Sequence, residues 1–401
     1  MKIAIVSDLH LGYERFYEDA YLQAKEALEK ASSMADMLII PGDLFDNRSP
    51  KPEVLAQGMN IFRSVAASKA WEAKVTSYDG PMKIYTNLPI LAISGTHERR
   101  SEEAEDAVDL LSLAGLLVNI SEARAIVEKD GERVAVYGMG GISEERFREV
   151  LKKKDPKPID SMFNIFVFHQ SVYDLMPFDK NFIRLDELPK GFDLYIDGHI
   201  HSKVEKTVHS KPFLIPGSTV LTQLKEDETE SKGFFLFDTK NSEYRFIEIN
   251  SRKFYVVRVD VTGKNPSLVL KEAEEKISAF IGRDDKPIIR LILTGEAGKG
   301  FKESDFELFA LAKKFEEKAI VEVSKDMKDK EAESEIEALR NKAIENISIK
   351  DFGTSVFLKE LESKGYKLDV SPTDLFEALS SEKNKEKAIS KALSLLFKNA
   401  L

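Results

Sequence analysis

The segment Asp197-Gly198-His199-Ile200-His201 places two of the chain's six histidines two residues apart. In an extended backbone residues i and i+2 face the same side, so His199 and His201 can present both imidazoles to one point, as a bound metal ion requires. Asp8 and His10 in "SDLH" repeat that spacing, and Asp43 in "PGDLF", His97 in "SGTHE" and His169 in "VFHQ" extend the set to seven titratable side chains. Cysteine is absent, which excludes disulfides, thiolate zinc sites and cysteine nucleophiles. Carboxylate and imidazole donors without sulfur suit divalent manganese, iron or zinc. Seven such residues are too many for one catalytic ion that keeps an open position. Two ions about 4 Å apart, bridged by one carboxylate, would use them and would clamp a phosphoester during displacement. Phosphoryl chemistry is the class this pattern favours.

The elements that must position these residues are legible as apolar runs. "KIAIVSD", "MLIIPGD", "LPILAISG", "VAVYGMGG", "NIFVFHQ" and "DLYIDGH" each read as a buried strand ending in polar or glycine residues, with a helical pattern in "EDAYLQAKEALEKASS" between the first two. In α/β sheets ligands bind outside the carboxyl ends of the strands, where these candidates lie. Gly42, Gly95 and Gly198 stand one or two residues before a candidate, where glycine lets the backbone turn and leaves room for close approach. Any single strand-end histidine is more often a cap or a solvated residue than a ligand; five such segments in one order point the other way. His209 in "KTVHSK" reads as surface or structural, and Trp71, the single tryptophan, as packing.

Residues 1–250 therefore form a layered α/β domain. From 251 a strand, helix, strand, helix, strand pattern ("KFYVVRVDV" to "AIVEVS") marks a second, smaller α/β unit to residue 326, and 327–401 reads as a charged, helical tail. Lys plus Arg (59) against Asp plus Glu (69) gives a net charge of -10, so bulk electrostatics do not predict nucleic-acid binding. No apolar run is long enough to span a bilayer and "MKIAIVSDLH" lacks the features of a signal peptide, so a cytoplasmic location is expected.

At these residues the sequence resembles the calcineurin-like metallophosphoesterases, whose pattern D-x-H, G-D, G-N-H-[DE], H, G-H-x-H is met by Asp8-Leu9-His10, Gly42-Asp43, Gly95-Thr96-His97-Glu98, His169 and Gly198-His199-Ile200-His201. Within them it resembles the nuclease subunit of the DNA double-strand-break repair complex, the meiotic-recombination-eleven type called SbcD in bacteria, through "SDLHLGY", "GDLFDNRSPKPE" and "GHIHSKVEK". The resemblance implies a metallophosphoesterase sandwich, a small capping domain at 251–326 and ATPase-binding helices at 327–401. It further implies one Mn2+ held by Asp8, His10, Asp43 and His201, and a second held by Asp43, His169 and His199, with Asp43 bridging. His97 matches the family's catalytic histidine, which is not a ligand. Two departures stand out: Thr96 replaces the family's asparagine ligand, and Asp46 stands where this branch carries another active-site histidine, where an acidic group would oppose phosphate.

The implied activity is hydrolysis of DNA phosphodiesters, as 3′–5′ exonuclease and single-strand endonuclease, with His97 assisting departure of the sugar oxygen. A general phosphoesterase of small esters and a weakly active DNA-end tether are the competing readings. The resemblance also implies an SMC-like ABC ATPase partner bound by the carboxy-terminal helices and a homodimer through helices of the first domain; the stripe Ile389, Leu393 and Leu396 reads either as the ATPase contact or as packing on its own domain, and "PEVLAQGMNIFRSV" and "AEDAVDLLSLAGLL" either as dimer helices or as core. Arg99 and Arg100, directly after the catalytic motif, are candidate phosphate contacts, whereas "LKKKD" at 151–155 reads as a solvated face.

Overall fold

The strand Lys2–Ile5 shows why the first run is apolar throughout. Its Ile3 and Ile5 join a buried cluster with Met37, Ile39, Ile165, Val167, Leu194 and Ile196. Ala4 and Val6 face the opposite side and join Ala24, Ala27, Leu28 and Phe62 of two helices. A strand covered on both faces needs apolar residues at every position.

The computed structural model describes residues 1–68, 70–77, 83–99, 104–282, 286–296, 301 and 305–328. Two large sheets pack face to face through the first of these clusters, with helices on their outer faces, which is the layered α/β sandwich expected from the sequence. The six-stranded sheet runs Glu243–Glu248, Gly233–Asp238, Lys2–Ile5, Met37–Ile40, Ile90–Ala92, Val118–Asn119. The last four of these are mutually parallel. The eight-stranded sheet runs Val204–Val208, Lys211–Ile215, Leu194–Asp197, Phe163–Phe168, Glu132–Met139, Arg124–Lys129, Ala70–Ser77, Lys83–Asn87. Its second to fifth strands are parallel.

Helix Tyr17–Met34 covers the six-stranded sheet through Ala24, Ala27, Leu28 and Ala31, and helix Pro52–Ala66 joins it through Ile61, Phe62 and Val65. Helix Ala107–Leu113 starts at Asp106, whose carboxylate accepts from the Val108 and Asp109 N–H groups, and buries Val108 and Leu111. The two segments expected at a dimer contact thus spend one face on their own core. Met59, Leu110 and Leu113 remain exposed. Helix Glu144–Lys154 covers the other sheet through Phe147 and Leu151.

After residue 250 the expected alternation is present as strand Phe254–Asp260, helix Pro266–Ser278, strand Ile288–Glu296, helix Leu308–Lys314 and strand Ile320–Lys328, the three strands forming one sheet. By contact density the chain divides into two compact units. The first comprises Met1–Val257, Glu274–Leu291 and Phe309–Val323 and holds both large sheets; the second comprises, among the described residues, those of Arg258–Ala273, Ile292–Leu308 and 324–328. Within the second, Val259, Val261, Val269, Ala273 and Leu293 are buried, and Lys264 pairs with Glu272. The expected tail helices, with Ile389, Leu393 and Leu396, lie outside the described residues. Among the described residues no helix is long and apolar enough to cross a membrane.

Candidate metal centre

Six strand-end residues from both large sheets converge. Among the described residues, ligand atoms of Asp8, His10, Asp43 and His201 lie within 4.8 Å of one another, and so do those of Asp43, His169 and His199. Asp43 belongs to both groups. They follow strands Lys2–Ile5, Met37–Ile40, Phe163–Phe168 and Leu194–Asp197, all at the carboxyl ends.

The route to this convergence differs from the extended-strand expectation. Asp8 (φ 51°), His10 (φ 46°), Asp43 (φ 49°) and His199 (φ 69°) are left-handed. The strands end before these residues, and tight reversals, not alternation along a strand, aim the side chains inward. Asp and His tolerate this conformation better than most residues, but each instance costs on the order of 1 kcal/mol and persists only where the surroundings enforce it. Here they do: Asp8 N donates to the Gly42 carbonyl, His10 N to the Asp43 carbonyl and His199 N to the Asp8 carboxylate.

Whether these residues fit a cation is decided by their protons. The Nδ1 of His10 donates to Asp46 Oδ1 at 3.1 Å, that of His169 to the Pro41 carbonyl at 2.7 Å, and that of His201 meets the Thr222 hydroxyl at 2.5 Å. A neutral ring whose Nδ1 carries the proton turns a bare lone pair outward from Nε2. The Nε2 atoms of His10 and His201 face each other at 3.1 Å, and Nε2 of His169 faces Asp43 Oδ2 at 3.2 Å. Lone pairs and carboxylate oxygens aimed at one another in a buried site repel unless a cation, or a proton in its place, stands among them. The donor set, all nitrogen and oxygen, fits a divalent ion, and outer partners of this kind hold ligating histidines in register.

The electrostatics carry the same tension. Burial opposes charge on Asp43, but the surrounding His169, His10 and His97 hold its carboxyl well below the usual range. Burial also opposes charge on His169, yet the Asp43 carboxylate raises that ring to about 10. Burial and the neighbouring His169 push His199 down to about 4, and burial takes His201 well below the usual histidine range. Without a cation, His169 therefore carries a proton at pH 7, whereas His199 and His201 are already neutral. Cation binding must displace the His169 proton, so apparent Mn2+ affinity is expected to rise roughly tenfold per pH unit from pH 7 to 9. Calorimetry in buffers of different ionisation enthalpy checks this: release of at least one proton per site pair at pH 7 is expected, and zero release would overturn it.

Gly95 and Gly198 are required for a reason other than sharp turning. A Cβ on Gly95 would collide with the Asp43 carboxylate and backbone nitrogen, and one on Gly198 would lie 2.6 Å from His169 Nδ1. The space they leave is filled by neighbouring ligands. Gly95→Ala is expected to cost about 1–3 kcal/mol, as overpacking does, and to weaken Mn2+ binding by displacing Asp43; an unchanged thermal midpoint would count against this packing.

His97 takes a separate place. Its ring packs edge-on against His10, with centroids 4.9 Å apart, and its Nδ1 donates to the Asp46 carbonyl at 2.7 Å. Its side chain is 40% exposed, against 1% for His10. The Asp46 carboxylate, expected to oppose phosphate, is turned to His10 Nδ1 and stands 3.6 Å from His97 Nδ1, so part of its charge is spent on imidazoles. Thr96 Oγ1 lies 3.3 Å from His199 Nδ1, and Glu144 Oε1 stands 3.8 Å from the other nitrogen of that ring. Arg99 is half-buried just beyond; Arg100 lies outside the described residues.

Sequence reasoning assigned no role to Glu98, which is fully buried and accepts from the Phe45 and Gly95 N–H groups that frame Asp43. Burial, then the Asp43 charge, pushes its carboxyl up to about 8. Its place directly after His97 was the available signal. Asp197, buried behind His199, accepts from Gln170 N, and burial pushes it well above the usual range. His209 bonds the Leu188 carbonyl at 2.9 Å and belongs to neither ligand group. Lys154 of the basic run pairs with Glu122.

The calcineurin-like phosphoesterase family model matches residues 1–203, half of the chain. The chain belongs to that family and is a metal-dependent phosphoesterase. Among curated relatives, the DNA double-strand break repair protein Mre11 of Methanopyrus kandleri is 31% identical over 288 residues, covering 65% of this chain and 59% of the relative. The double-strand break repair protein mre-11 of Caenorhabditis elegans is 27% identical over 292 residues, covering 61% of this chain and 40% of the relative. The chain thus spans about half the length of these relatives. A solved archaeal phosphodiesterase aligns over 62% of this chain and all of its own at 16% identity, with a TM-score of 0.31.

Proposed function

We propose that this phosphoesterase is a DNA nuclease of double-strand-break repair, acting as 3′–5′ exonuclease and single-strand endonuclease with an SMC-like ABC ATPase. The observation that carries the phosphodiesterase chemistry is the shared Asp43: two largely buried ligand groups joined by one carboxylate, with the exposed His97 beside them. The substrate assignment is supported by the resemblance of "SDLHLGY", "GDLFDNRSPKPE" and "GHIHSKVEK" and by the repair-protein relatives of archaeal and animal origin.

In this reading Asp8, His10, Asp43 and His201 hold one Mn2+ and Asp43, His169 and His199 the other, with Thr96 beside His199 in place of an amide. When bound, the two ions supply Lewis acidity to the phosphate oxygens and to the attacking water. The chain's own residues do the rest. The Asp46 carbonyl holds the proton of His97 on Nδ1, so Nε2, in its protonated form, donates to the departing sugar oxygen. Arg99 and Arg100 grip the backbone phosphates. Residues 1–250 form the nuclease domain, 251–326 cap it, and 327–401 engage the ATPase; the protein works as a homodimer in the nucleoid.

The test is incubation of the purified protein with single-stranded circular DNA and with blunt duplex, each with manganese, magnesium or chelator, and with a chromogenic phosphate ester alongside. Manganese-dependent DNA cleavage supports the reading. Hydrolysis of the small ester alone would replace it with a general phosphoesterase, and silence on every substrate with metal bound would favour a tethering role.

A further inference from the structure

We propose that Thr222, Glu228 and Lys232 form a proton-orienting relay that fixes His201 as a metal ligand, making them positioning residues of the centre. The inference rests on the reading of His201 as a ligand given above. None of the three belongs to a phosphoesterase motif, and all lie 21 to 31 positions beyond His201.

Glu228 is 3% exposed and Lys232 5%, and the Lys232 ammonium lies 3.3 Å from Glu228 Oε1. A buried ion pair carries a large desolvation cost and persists where further hydrogen bonds satisfy it. Glu228 has them: Oε1 accepts from Thr222 N at 3.1 Å, and Oε2 accepts from Gln223 N and Leu224 N at 2.7 Å each. A carboxylate facing three N–H groups and an ammonium only accepts. The Thr222 hydroxyl, 3.2 Å from Oε1, must therefore donate to it.

A hydroxyl has one proton. With that proton committed to Glu228, the Thr222 oxygen is left to accept from His201 Nδ1 at 2.5 Å. The His201 proton is thereby fixed on Nδ1, and its lone pair is fixed on Nε2, which stands 3.1 Å from His10 Nε2 and 3.8 Å from Asp8 Oδ1. Lys232 also donates to the His201 carbonyl at 3.1 Å, so the same pair holds the residue's backbone. The relay thus sets tautomer and position together.

Thr222→Val tests this with little else disturbed. It removes the hydroxyl, but the ion pair, the three backbone N–H bonds to Glu228 and the bond from Tyr13 Oη to the Thr222 carbonyl can all remain. Mn2+ affinity is read by calorimetry, the ring tautomer by 15N chemical shifts of the histidines in the metal-free protein, and the fold by thermal unfolding. One of two ions is expected to bind about 10- to 100-fold more weakly in Thr222→Val, with His201 no longer held in the Nδ1–H form and the melting midpoint nearly unchanged. Thr222→Ser, which restores the hydroxyl, is expected to recover both readouts. Wild-type affinity in Thr222→Val, while His201→Ala loses an ion, would overturn the relay alone. Wild-type affinity in both variants would overturn the ligand reading beneath it, and the relay with it.

Discussion

Replacing Asp43 by alanine is expected to empty both ligand groups and to bring phosphoester hydrolysis to background. Asp43 is the one residue common to the group with Asp8, His10 and His201 and the group with His169 and His199; His10 is shared only with a third cluster, formed with Asp46 and His97. Its Oδ2 faces His169, its Oδ1 accepts from the His97 backbone N–H at 2.8 Å, and the residue is 1% exposed, so no carboxylate from solvent can take its place. Changes to the outer partners of metal ligands typically cost 10- to 100-fold in affinity, so loss of a shared ligand should exceed about 100-fold at each ion. Asp43→Asn is the control for folding, because the amide keeps the shape and can still accept from His97 N. Metal content and Mn2+ calorimetry read the result. Retention of one ion at wild-type affinity in Asp43→Ala would mean that the two groups do not share this carboxylate, and the two-ion arrangement would fall with it.

The sequence revealed the ligand set more readily than the way the backbone delivers it. The central strands were legible because Ile3, Ile5, Ala4 and Val6 must all be apolar in a strand covered on both faces. Edge strands such as Val204–Val208 and Glu243–Glu248 carry no such run: one face of each meets solvent and their patterns mix charge with partial burial. The left-handed turns at Asp8, His10, Asp43 and His199 were not legible, since Asp and His adopt that conformation only where contacts far along the chain impose it. Asp46 shows the same limit. Its type suggested repulsion of phosphate, whereas its partners, His10 and His97, lie 36 and 51 positions away. The outer support of His201 is equally silent in sequence, because nothing in the spacing of Thr222, Glu228 and Lys232 ties them to a histidine 21 to 31 positions earlier.

His97→Ala carries the second large effect, and it separates chemistry from binding. His97 shares a neighbourhood with His10 and Asp46 but stands in neither of the groups that contain Asp43. Its Nδ1 proton is committed to a backbone carbonyl, which directs Nε2 away from that anchor, and its 40% exposure leaves the ring open to a substrate. A positioned acid of this kind contributes about 10²- to 10⁴-fold, so kcat on a phosphodiester should fall by that factor, about 3–5 kcal/mol in the barrier. Mn2+ affinity should stay within a few-fold of wild type, since no ligand atom is lost. If metal and activity disappear together in this variant, His97 belongs among the ligands and the leaving oxygen must take its proton from another group.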